Sequence, residues 1–211
     1  VLCPDIGESV GVFQTRDGGG GLAQSLLSAG YDVQLVDPWD GATARERGFD
    51  AVLEEVYPVL VDAVSVEGVS VIWVGRGLCG LLPVAAAAAG QDTEVSAWIS
   101  LGTRFDFRYP AAAHLTWLRS WSAGESPDED VARQTLLTGL APGPRERRRG
   151  STLDDVEALW RSRVARPPPR AVVDDLLRWF EGGRCARDTD DLDYLGGLEQ
   201  IDHRALMIAA V

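Results

Sequence analysis

Short apolar runs alternate along this chain with longer stretches whose apolar positions recur every three to four residues. VLC (1–3) reads as a strand followed by the polar turn PDIGES, and DGGGG (17–21) as a flexible loop. Leu22, Ser25, Leu26 and Ala29 then share one helical face, with Gly30 placed to end it. YDVQLVD (31–37) alternates and is β-branched, which predicts a strand, and PWDGATARERG (38–48) reads as loop. Phe49, Val52, Leu53, Val56 and Leu60 form a helical stripe in which Pro58 must kink or restart the helix. VSVIWV (69–74) has the near-continuous apolar character of a strand buried on both faces, and VSAWISL (95–101) predicts a further strand. ALMIAAV (205–211) reads as the last.

Strand and helix alternating in this way predict an α/β fold: a mostly parallel sheet with helices on both faces. Residues 111–183 change character, with helical patterns and no convincing strand. STLDDVEALW (151–160) opens with Ser151 and Asp154 in a weak capping box. PPPRAVVDDLLRWFEGG (167–183) opens on prolines, lines Val172, Val173, Leu176, Leu177 and Phe180 along one face, and closes at Gly182–Gly183. The expectation is a core over 1–110, a helical lid over 111–183, and a return to the core over 184–211.

The corner VIWVGRGLCGLL (71–82) concentrates the chemistry. A strand meets a glycine-dense turn and opens into the helix LLPVAAAAAG, the setting in which G-x-S-x-G elbows hold a nucleophile. Around it, the order of features resembles the α/β-hydrolase fold family, in its bacterial branch with a helical lid between the sixth and seventh strands. LCPDIGES looks like the loop after the third strand. LAQSLLSAGYDVQLVD looks like the first long helix and fourth strand, and FDAVLEEVYPVLVDAV like the helix before the elbow. WISLGTRFDFR resembles the sixth strand with its turn, and DYLGGLEQIDHRALMIAAV the run into the seventh. The family's triad acid and histidine would then fall beyond Val211, and the chain reads as cut at both ends.

The resemblance implies serine-type hydrolysis of a small hydrophobic ester or acyl substrate without a cofactor. Gly75, Arg76 and Gly80 stand in the elbow turn, and the backbone N–H groups of Ile6 and Leu78 stand as oxyanion donors. The nucleophile position, however, is Gly77, which has no atom able to attack a carbonyl. Losing the nucleophile of a serine protease costs about 10⁶ in turnover. Asp5 stands where the family has glycine and would set a negative charge beside a developing oxyanion. The resemblance therefore implies an impaired hydrolase, or a non-catalytic module for an apolar ligand or partner.

Two other readings attach to the same corner. Cys79 in a first helical turn could be an activated thiolate, giving a Cys79-dependent acyl transferase. The related polyhydroxyalkanoate synthases carry their cysteine in the register of Gly77, and two residues along a helix turn a side chain by about 200°. A buried core thiol is the plainer reading. GRGLCG also spells G-x-G-x-x-G, a dinucleotide fingerprint. Against this, the acid expected about 20 residues on is missing, Pro83 interrupts the helix, and two strands precede the corner.

His114, Trp117 and Trp121 fall at the start of the lid as candidates to line a pocket, while Trp160 and Trp179 read as lid core. His203 precedes the last strand and does not match a triad histidine. PRERRRG (144–150) reads as a solvated loop rather than an anion site, and DTDDLD (188–193) as a solvated acidic turn lacking calcium-loop spacing. No metal site is expected.

Composition narrows the rest. The chain has 211 residues, 45% hydrophobic and 25% charged, as a globular domain requires. Its net charge of −12, with arginine supplying every basic residue, argues against nucleic-acid and anionic-membrane partners. No apolar run is long enough to span a bilayer. Three cysteines, Cys3, Cys79 and Cys185, suggest no disulfide framework and hence a reducing, cytoplasmic setting. Nothing in the sequence fixes an oligomeric state.

Overall fold

The structure, a computed structural model, describes residues 1–14, 21–91, 94–108, 112–124, 168–199 and 204–208. The side chains of residues 113, 114, 117 and 204–208 lie outside that description, as do residues 144–150, Trp160 and His203.

Among the described residues four parallel strands form the sheet: β1 (Leu2–Cys3), β2 (Val71–Arg76), β3 (Val95–Leu101) and β4 (Arg204–Ile208), in that spatial order. Leu35 adds a parallel bridge on the outer side of Leu2. Leu2 donates to the Gln34 carbonyl at 2.8 Å, and Val36 donates to the Leu2 carbonyl at 3.1 Å. The strand expected over 31–37 is thus reduced to one bridged position. Its partner β1 is only two residues long, so it offers no longer edge to pair with.

Helices α1 (Leu22–Ser28), α2 (Ala42–Ala51), α3 (Tyr57–Val64) and α4 (Leu82–Ala88) fall between strands. Helices α5 (Ala112–Ser122) and α6 (Arg170–Gly182) follow β3. The loop expected over 38–48 is largely helix, because α2 begins at Ala42. Gly48 explains the misreading: at φ +81° it breaks the helix, which restarts at Phe49. A side chain at Gly48 would also meet the Asp175 carboxylate closer than 3.0 Å. That carboxylate accepts the Phe49 N–H at 2.7 Å, so α6 caps the restarted helix. Pro58 sits in the first turn of α3, after a π-helical turn over Val52–Val56. Proline lacks an N–H to continue the regular bonding, and the irregular π turn falls just before it.

Among the described residues the apolar side chains form a larger cluster and a smaller one, the smaller holding Leu2, Phe13, Ala23 and Val74. Trp73 and Trp98 are buried on β2 and β3, and Phe49, Tyr57, Val172, Val173 and Trp179 are buried with them. The apolar face read in 167–183 therefore packs into the same core as the sheet, and Gly183, at φ +71°, ends α6. Trp179 donates its indole N–H to the Ala186 carbonyl at 2.8 Å and meets Phe49 edge-on at 5.0 Å. The alanine run of α4 has a packing reason. Small side chains there admit the turn Tyr194–Glu199, whose Gly197 lies against the backbone of Val84 and Ala88.

Candidate functional site

The topology selects one crevice. From β1 the chain runs outward to Leu35, and from β2 it runs the opposite way to β3. The carboxyl ends of β1 and β2 therefore part, and open α/β sheets bind ligands at such a switch point. β1 delivers Pro4, Asp5 and Ile6 to this crevice, and β2 delivers Gly75, Arg76, Gly77 and Leu78. The structure thus brings together the elbow and oxyanion residues read from the sequence.

Gly77 turns the corner at φ +48°, the left-handed region, and a 3₁₀ turn over Gly77–Gly80 leads into α4. The corner is tightly built. A side chain at Gly75 would run into the backbone of Cys79 and Gly80, and one at Gly80 into the hydroxyls of Thr103 and Ser100. Thr103 donates its hydroxyl to the Gly77 carbonyl at 2.7 Å, which ties the apex to the end of β3.

The Asp5 carboxylate fills the space between the two loops. Its Oδ1 accepts the N–H of Leu78 at 2.9 Å and the N–H of Ile6 at 2.8 Å. These are the two groups assigned as oxyanion donors, and both already serve an internal anion. A Cβ at Gly77 would approach Asp5 Oδ2, Cγ and Oδ1 closer than 3.0 Å, a separation real Cβ atoms do not show. A side chain at the apex therefore requires the Asp5 carboxyl to move from this position. The sequence puts Asp5 near the oxyanion position, but its reach across to the apex depends on how β1 and β2 pair.

The surroundings tune this carboxyl. Asp5 keeps an exposed edge, but burial is the main influence and raises its pKa to about 6. The nearby Glu8 charge raises it too, while the Leu78 and Ile6 N–H bonds and the Arg76 charge act the other way. Arg76 pairs with Glu8 at 3.0 Å, and Glu8 accepts the Asp5 N–H at 3.2 Å. Arg76 therefore braces the first loop from across the crevice.

Two expectations about cysteine are corrected. Cys3 and Cys79 form a disulfide with Cα atoms 5.9 Å apart, because the end of β1 lies beside the turn after β2. The count of three was odd only because Cys185 is the unpaired one. Cys79 is fully buried and bonded, so the thiolate an acyl-transferase reading needs is not present. The inference of a reducing compartment loses its premise as well. Cys185 is a buried thiol whose pKa burial pushes far up, which makes it a poor nucleophile. For the dinucleotide reading, the N–H of Leu78 that a pyrophosphate would use is taken by Asp5.

Of the lid candidates, Trp121 is half-buried against the core, and His114 and Trp117 lie on α5 with their side chains outside the described residues. In the acidic turn, Asp188 pairs with Arg178, Asp190 with Arg187 and Asp191 with Arg184. Among the described residues no cluster of metal-ligating side chains occurs, and no helix is long and apolar enough to cross a membrane.

No protein-family model and no curated protein matches the sequence. Solved structures do match its fold. One is AqDC in complex with its product, described for recognition and ring cleavage of the Pseudomonas quinolone signal. It aligns at TM-score 0.55 and 12% identity, covering 98% of this chain and 70% of that one. Another belongs to a group of epoxide hydrolases of the α/β-hydrolase superfamily from metagenomes of hot environments. It aligns at TM-score 0.38 and 13% identity, covering 99% and 82%. At 12% identity the likeness to AqDC is one of fold alone, an α/β fold with a parallel sheet.

Proposed function

We propose that this chain is an α/β-hydrolase-fold protein in which serine-type ester and acyl hydrolysis has been lost, leaving a scaffold that binds a small apolar ligand or partner. One observation carries the reading: the Asp5 carboxylate sits on the Leu78 and Ile6 N–H groups while Gly77 leaves the apex without a reactive atom. Acyl transfer needs both a nucleophile and a place for the oxyanion. Removing one oxyanion donor costs about 10²–10³ in turnover. Here both donors face a carboxylate, and the nucleophile is missing as well.

The proposed cap over 111–183 would begin with α5, which follows β3. Likeness of fold to a protein that recognises a quinolone signal suggests a small aromatic compound as the first ligand class to try.

The test is turnover of p-nitrophenyl acetate and butyrate, with fluorophosphonate labelling in parallel. The reading expects no label and no turnover beyond that of Asp5→Asn. A burst of p-nitrophenol with a covalent adduct on the chain would refute it.

A further inference from the structure

The two carboxylate oxygens of Asp5 differ in their surroundings. Oδ1 accepts both backbone N–H groups. Oδ2 accepts no hydrogen bond among the described residues, and it lies with the rest of the carboxyl against Gly77. The volume that a nucleophile's Cβ would fill at this corner is occupied by carboxylate atoms reaching across from the neighbouring loop. Two short N–H bonds from different loops fix the orientation of the group. Asp5 as a residue is only partly covered.

We propose that Asp5 is a general base: its Oδ2, held against the elbow apex at Gly77, takes a proton from a neutral carbon acid bound beside it. The substrate class follows from the geometry. Both N–H donors are spent on Oδ1, so a tetrahedral oxyanion would find no stabilisation here. Proton abstraction makes no such demand when the departing electron pair is delocalised within the substrate. Neutral substrates are favoured because Glu8 lies beside Asp5 and the chain carries a net charge of −12. A base works best with a pKa near the working pH, and the raised value of about 6 suits this role. The charged groups facing Asp5 are Glu8, on its own loop, and Arg76, on β2. The proposal goes beyond the loss of ester hydrolysis and does not depend on it.

The probe is 5-nitrobenzisoxazole. Asp5 Oδ2 takes the C3 proton, the C–H electron pair completes the C≡N bond, and the N–O bond breaks. The oxygen leaves with its electron pair as 2-cyano-4-nitrophenolate, and Asp5 returns the proton to water. The chain should open this ring faster than acetate at equal concentration, with kcat/KM rising through a midpoint near 6. Asp5→Asn, which keeps an oxygen for the two N–H groups, should lose about 10²-fold or more, the usual range for a positioned base. If Asp5→Asn does not fold, the wild-type rate midpoint is compared with the Asp5 carboxyl midpoint from ¹³C NMR. Coinciding midpoints support the proposal. A rate no faster than acetate, separated midpoints, or an Asp5→Asn variant as fast as wild type overturns it.

Discussion

The burial of Asp5 makes stability depend on pH in a direction unusual for a carboxylate. Its pKa is raised from 3.8 to about 6, so the folded chain holds the proton more tightly than the unfolded chain does. Below pH 3.8 this preference is fully expressed. It is lost as pH rises through 6, so the Asp5 contribution falls with pH. Each pKa unit is worth about 1.4 kcal/mol, which puts the change at no more than about 3 kcal/mol between pH 3.5 and pH 8. Asp5→Asn removes the titration but keeps an acceptor for Leu78 and Ile6. Urea unfolding of both proteins at several pH values isolates the effect, because every other titrating group is common to them. The stability difference, wild type minus Asp5→Asn, should fall by about 2–3 kcal/mol from pH 3.5 to pH 8. For a chain of this length that is a relative Tm change of about 5–10 °C. Parallel pH profiles would refute the burial argument, and a difference that grows with pH would mean Asp5 is stabilised as an anion.

Other outcomes test the surrounding structure. Gly77→Ser alone should remain inactive on p-nitrophenyl esters and lose stability by melting, because the new Cβ meets Asp5. Gly48→Ala should destabilise by about 1–3 kcal/mol in denaturant unfolding, through both its φ of +81° and the Asp175 contact. Asp175→Ala should cost about 1–2 kcal/mol by the same measurement as Phe49 loses its cap. The two substitutions should cost less together than the sum of each. Titration of thiols in the denatured, unreduced chain should find one group, Cys185, and reduction should lower Tm. The bridge closes a separation of 76 residues, worth about 4 kcal/mol on loop entropy.

The sheet was legible because parallel strands buried on both faces leave continuous apolar runs. VSVIWV and VSAWISL stand out for that reason, although β2 begins only at Val71 and Val69 is exposed. The 31–37 segment alternates like a strand, but strand length depends on a partner, and β1 is too short to pair with more of it. Helix α2 was hidden by Gly48 and by a polar composition, and it is held by α6, which lies more than a hundred residues away. At the corner, spacing alone identified Gly77, Ile6 and Leu78. The reach of Asp5 into their midst and the meeting of Cys3 with Cys79 are consequences of β1 lying beside β2. No local pattern encodes them.

The Asp5 carboxylate sits on the N–H groups of Leu78 and Ile6, and a pH titration of the backbone amides by ¹⁵N NMR tests this directly. These two amide resonances should shift together with a midpoint near 6, and both shifts should vanish in Asp5→Asn. Resonances that stay still, or that move with a midpoint near 3.8, would contradict it.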